Sequence, residues 1–171
     1  MPKSSAILAA QPSLAKLQQA AKAAAAKAYA PYSNFRVGAA IWTDRGLFTG
    51  ANVENASYGL TNCAERTAIF AAVAAGARRL ICVVVYTPTP GATAPCGACR
   101  QVIFEFGGPD ALVVSCCDGD EVIDTTCDAL LPGAFGPADL GIDPSDYGAE
   151  GDEAAVPATS KAASKRSKKT S

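Results

Sequence analysis

The residues best suited to chemistry in this chain are sulfurs and one carboxylate. Pro95-Cys96-Gly97-Ala98-Cys99 is a C-x-x-C at the start of a helical pattern, and Asn62-Cys63-Ala64-Glu65 leads into another. Residues three apart in a helical turn are neighbours, so the Cys96 and Cys99 sulfurs share a face. Helix starts present N–H groups and partial positive charge, which favour the thiolate that a metal requires. Thiolates from Cys63, Cys96 and Cys99 can therefore converge on one cation. Glu65 projects about 200° around a helix from Cys63, which makes it a poor ligand from the same turn. It is better suited to an open coordination position, where a carboxylate can take and return protons. A first-turn Glu that only stabilises the helix dipole is the plainer alternative.

A C-x-x-C alone fits a redox pair, half of a structural zinc site, or catalytic zinc ligands. The redox reading is weakened because the motif lies past residue 90 and a further candidate, Cys63, lies upstream. A closed structural site needs a fourth ligand, and Cys82, Cys116, Cys117 and Cys127 are available. Cys82 sits inside an apolar strand and the other three lack ligand spacing, so all four are read as structural residues. Histidine is absent, so a soft-metal site must use thiolates and acid–base work must use something other than imidazole. Three thiolates on Zn²⁺ carry a net negative charge, which makes the metal a poorer activator of water. Arg66 follows Glu65 and Arg100 follows Cys99. Both are candidates to offset that charge, and Arg66 is expected to hydrogen-bond a ligand thiolate.

The elements that must position these groups are readable from periodicity. Ser13 to Tyr29 is alanine-rich, with Leu14, Leu17, Ala21, Ala24 and Ala28 at helical spacing before Pro31. Segments 35–42 and 47–53 flank Asp44-Arg45-Gly46 and read as a β-hairpin. A helix over 64–75 stops at Gly76, and Leu80 to Tyr86 is an apolar strand buried on both faces. A helix over 97–106 ends at Gly107-Gly108-Pro109, followed by strands at 111–115 and 121–124. The order α-β-β-α-β-α-β-β implies a three-layer α/β/α fold around a mixed five-stranded sheet.

Bulk properties bound the rest. At 171 residues, 49% hydrophobic and 18% charged, the chain is a globular single domain with no apolar run of the roughly 18 to 20 residues a membrane span needs. No secretory signal pattern is read at the N-terminus, and seven cysteines suit neither a complete disulfide framework nor an oxidising compartment. A cytoplasmic location is expected. Lys161, Lys165, Arg166, Lys168 and Lys169 leave the first 160 residues at −6, which argues against a nucleic-acid-binding body. Residues 1–142 are expected to form the catalytic domain. Residues 143–171 are expected to be a disordered tail, acidic and then basic.

Cys63-Ala64-Glu65, followed about 30 residues on by Pro95-Cys96-x-x-Cys99, resembles the small, three-cysteine type of the cytidine deaminase family. Residues 32–40 (YSNFRVGAA), 52–59 (NVENASYG) and 130–135 (LLPGAF) extend the likeness, which covers about 14 to 140. The resemblance implies one Zn²⁺ per subunit on Cys63, Cys96 and Cys99, with Glu65 moving protons during deamination of cytidine or deoxycytidine. It also implies ribose contacts from Asn52 and Glu54, aromatic contacts to the pyrimidine from Phe35 and Phe135, and substrate contacts from Tyr58 and Ala64. The family implies a homotetramer with active sites shared between subunits, acting on a small nucleoside with no nucleic-acid or membrane partner. A zinc-stapled structural domain, a blasticidin-type deaminase and a polynucleotide deaminase are the competing readings. The Asn52, Glu54 and Phe35 context favours ordinary nucleosides.

Overall fold

The computed structural model describes residues 11–143 of the chain. The expected tail therefore lies outside the described residues except for Asp143. Helix α1 (Leu14–Ala25) starts at Ser13, whose hydroxyl accepts the Lys16 N–H, and it buries Leu17, Ala21, Ala24 and Ala25 along one stripe. It stops short of the expected Tyr29 because that residue is claimed elsewhere. Tyr29 N–H donates to Asn52 O at 3.0 Å and Tyr29 O accepts Glu54 N–H at 2.8 Å.

Strands β1 (Gly38–Thr43) and β2 (Gly46–Ala51) form the hairpin, closed at Asp44-Arg45 with Gly46 at φ 105°. Both are shorter than the sequence pattern suggests. The Phe35 carbonyl and the Val37 N–H are taken by the Asn52 side chain instead of the ladder. Helix α2 (Ala64–Ala74), strand β3 (Leu80–Tyr86), helix α3 (Gly97–Gly107), strand β4 (Leu112–Cys116) and strand β5 (Val122–Thr126) follow, with a one-turn helix α4 (Cys127–Leu130). The strand order is β2-β1-β3-β4-β5. Among these five strands only β3 and β4 pair in parallel, as expected where a helical crossover joins consecutive strands.

Alternation along the strands sorts the core into two layers. Ala39, Ile41, Val83, Val85 and Val113 face Ala64, Ala68, Ile69 and Ala72 of α2 and Ile103 of α3. Ala40, Cys82, Val84, Tyr86, Val114 and Cys116 face Leu17, Ala21 and Ala25 of α1. Two glycines let the helices approach. A Cβ on Gly38 would collide with the Ala21 carbonyl of α1, and one on Gly50 would lie 2.5 Å from Ala64 O and from Ala68 N of α2.

Candidate metal and catalytic centre

Gly50 fixes where α2 begins. It pairs with Ala39, which pairs with Val85, so the start of α2 rests over the end of the sheet where β3 finishes. The loop 87–96 brings the start of α3 to the same end, outside the carboxyl ends of the parallel strands, where α/β sheets place their ligands.

Cys63 is the N-cap of α2 and Cys96 the N-cap of α3. Neither side chain caps its own helix, so both sulfurs remain available to a cation. Cys99 completes the group from the first turn of α3, fully buried. The three Sγ atoms lie within 4.8 Å of one another, with Cys63 and Cys96 at 3.8 Å. Zn–S bonds of about 2.3 Å in a tetrahedron put sulfurs about 3.8 Å apart, so the donors fit zinc in kind and in spacing.

Electrostatics bind these groups together. The Cys63 thiol is pushed down to about 5, chiefly by the Cys99 S–H that donates to it and then by the Arg66 guanidinium. Cys99 is pushed up for the complementary reason, because it holds the proton for Cys63 and is buried. Adjacent thiolates repel, and a divalent cation reverses that balance. Arg66 Nη2 donates to Cys63 Sγ at 3.6 Å and to Thr61 O at 3.5 Å, while its Nε–H is buried with no partner among the described residues. Arg100 behaves differently. Its Nε donates to Pro95 O at 2.7 Å and its Nη1 to Leu130 O at 2.9 Å, which pins the loop entering Cys96 but spends those bonds on carbonyls.

Glu65 is 4% exposed in the first turn of α2. Burial raises its pKa, and the negative charge on Cys63 raises it further. A buried carboxyl that follows a cluster thiol by two residues is of the type that can accept and return protons.

The chain matches the family model described as the cytidine and deoxycytidylate deaminase zinc-binding region over residues 12–116. It belongs to the cytidine deaminase family. The cytidine deaminase of Sporosarcina psychrophila is 47% identical over 127 residues, covering 73% of this chain and 93% of that protein. The cytidine deaminase of Mycobacterium tuberculosis is 45% identical over 118 residues, 68% of this chain and 85% of the other. In structure, the Burkholderia pseudomallei cytidine deaminase aligns with a TM-score of 0.70 at 54% identity, covering 72% of this chain and all of that one.

The other residues expected to bind substrate are in different states of engagement. Asn52 is 7% exposed, with Oδ1 accepting Val37 N–H and Nδ2 donating to Phe35 O, each at 2.8 Å. Glu54 accepts the N–H groups of Tyr32 and Ser33 and the Ser33 hydroxyl. Phe35 is 38% exposed, Phe135 61% and Tyr58 75%. Tyr58 stands edge-on to Tyr32 at 6.0 Å, and the Phe135 carbonyl is held by Gln101 of α3. Ala64 is fully buried with its methyl in the core, which leaves its peptide group as the means of contact.

Two supporting groups escape the motif. Thr67 Oγ1 donates to Cys63 O and accepts from Asn62 Nδ2, both at 3.1 Å, locking the N-cap peptide of α2. Ser33 holds both Glu54 and the Phe35 N–H. Their only sequence signals are a Thr four residues after a Cys and a Ser two residues before an aromatic, both common local bonding patterns.

Proposed function

We propose that this chain deaminates cytidine and 2′-deoxycytidine hydrolytically to uridine and 2′-deoxyuridine, releasing ammonia in pyrimidine salvage. The observation that carries the reading is the buried Glu65 beside a three-thiol site of zinc-compatible spacing. Cys63, Cys96 and Cys99 would hold one Zn²⁺ per subunit. Bound there, the ion supplies Lewis-acid activation of water at neutral pH. Glu65 accepts the proton of the attacking water and delivers it to the cytosine ring nitrogen. Once C4 is tetrahedral, Glu65 takes the proton of the added hydroxyl and passes it to the amino group; the C4–N bond breaks, the C4 carbonyl forms and ammonia leaves.

The other residues bind and orient. Phe35 and Phe135 flank the pyrimidine, and Asn52 and Glu54 meet the ribose hydroxyls with the amide proton, lone pair and carboxylate valence their internal bonds leave over. Tyr58 and the Ala64 peptide line the site. Arg66 offsets thiolate charge by direct contact, whereas Arg100 does so through its field and by pinning the Pro95 carbonyl.

A homotetramer that shares active sites is supported by exposed apolar groups on the segments that carry the expected ribose ligands. Tyr29 and Val53 are bridged to each other and Tyr32 and Tyr58 are in ring contact, with exposures of 56%, 47%, 49% and 75%. Such a contiguous patch is typical of an interface. Seven unpaired cysteines suit a reducing, cytoplasmic compartment. No helix among the described residues is long and apolar enough to cross a membrane. The test is ultraviolet monitoring of cytidine and deoxycytidine with metal analysis and light scattering on the same sample. A zinc-loaded tetramer that releases ammonia is expected, and zinc-loaded protein inert on both nucleosides would overturn the proposal.

A further inference from the structure

The segment that carries Phe35 is held by side chains whose bonds converge on its peptide groups. Asn52 takes the Phe35 carbonyl and the Val37 N–H. Glu54 takes the turn just before, with Oε2 accepting Tyr32 N–H at 2.8 Å and Ser33 N–H at 3.2 Å, and Oε1 accepting the Ser33 hydroxyl. That hydroxyl faces two ways, because its oxygen also accepts the Phe35 N–H at 3.0 Å. Ser33 thus bridges the Glu54 carboxylate to the peptide that aims the Phe35 ring. Between the two, Asn34 sits at φ 56° with its N–H bonded to Ala30 O, a left-handed conformation that a loosely tethered turn would relax.

A carboxylate at a protein surface ordinarily samples several rotamers, and ordering it on binding lowers affinity. Here three donors fix the carboxylate before any ligand arrives, and they hold its pKa below the usual range, with the Ser33 hydroxyl the largest cause.

We propose that Ser33 is a positioning residue that couples sugar recognition to base recognition, its hydroxyl holding the Glu54 carboxylate and the Phe35 ring in one arrangement. The inference rests on the nucleoside reading above. Because Ser33 prepares groups that bind and do no bond-making, its removal weakens binding and spares the chemical step.

The experiment is steady-state kinetics on cytidine with the zinc-loaded full chain. Ser33→Ala is expected to raise KM about tenfold while kcat stays within about twofold, the loss of one charge-assisted hydrogen bond in a preorganised site. Ser33→Thr keeps a donor and acceptor at the same place and is expected to return KM to within about threefold of the parent. In a Glu54→Gln background, Ser33→Ala is expected to add less than about twofold, since the two residues act as a unit. An unchanged KM in Ser33→Ala, a loss confined to kcat, failure of Thr to rescue, or full additivity with Glu54→Gln would each overturn the inference while leaving the deaminase reading intact. A zinc-loaded parent inactive on cytidine overturns both.

Discussion

Replacing Glu65 by Gln separates proton transfer from metal holding. The side chain is 4% exposed, and burial first and then the charge on Cys63 raise its pKa. Gln fills the same volume and keeps an oxygen that can accept the hydrogen bonds Glu65 receives from its own N–H and from Cys99, so the fold and the zinc site are expected to persist. The acid–base role disappears completely, because an amide neither accepts nor returns a proton at neutral pH. One positioned acid–base group accounts for about 10² to 10⁴ in rate. Glu65 is assigned two transfers in one turnover, so kcat should fall by at least about 10³, roughly 4 kcal/mol of transition-state stabilisation. The assay is cytidine absorbance on protein whose zinc content and Tm are measured alongside. Glu65→Gln with parent-like zinc and Tm but almost no turnover is expected. A variant that keeps more than about a tenth of kcat refutes the proton-transfer role. One that loses zinc together with activity shows that Glu65 holds the metal site together instead.

Three further outcomes follow from the same geometry. Arg66→Gln removes the cationic donor at 3.6 Å from Cys63, and should lower zinc affinity and kcat by about tenfold each, by competition with a chelator and by kinetics. Gly50→Ala places a methyl against the backbone of α2 at Ala64 and Ala68, whereas Gly38→Ala presses on α1. Both should cost about 1 to 3 kcal/mol in denaturant unfolding, but only Gly50→Ala, which shifts the helix that begins at Cys63, should also reduce zinc content. The Glu54 pKa is lowered by Ser33 and by the backbone N–H groups of Tyr32 and Ser33. The contribution of its ionised form is therefore present above the usual carboxylate pKa, about 4.3, and lost only as pH falls through the depressed value. KM for cytidine should accordingly stay level from about pH 8 to about pH 5, and a rise already at pH 6 would contradict the assignment of Glu54 to the ribose.

Much of the chemistry is legible in the sequence because it depends on residue type and short spacing. Without histidine, a soft-metal site had to be built from thiolates, and Cys63, Cys96 and Cys99 stood at helix starts that local propensity alone marks. Strand β3 begins and ends where its apolar run does, since a strand buried on both faces needs no partner to announce it. Where distant groups compete for the same backbone, local pattern misleads. Helix α1 ends at Ala25 and strand β1 begins at Gly38 because Tyr29 bonds across to Asn52 and Glu54, and the Asn52 side chain takes residues 35 and 37. Tertiary structure alone decided that Cys63 meets Cys96 at 3.8 Å across 33 residues of chain. It also decided that Arg100, a candidate for the same charge compensation, turns to carbonyls, whereas Arg66 meets the Cys63 sulfur as the sequence suggests. Propensity and periodicity describe a residue and its nearest neighbours, whereas a thiol cluster is set by where the sheet register places two helix starts.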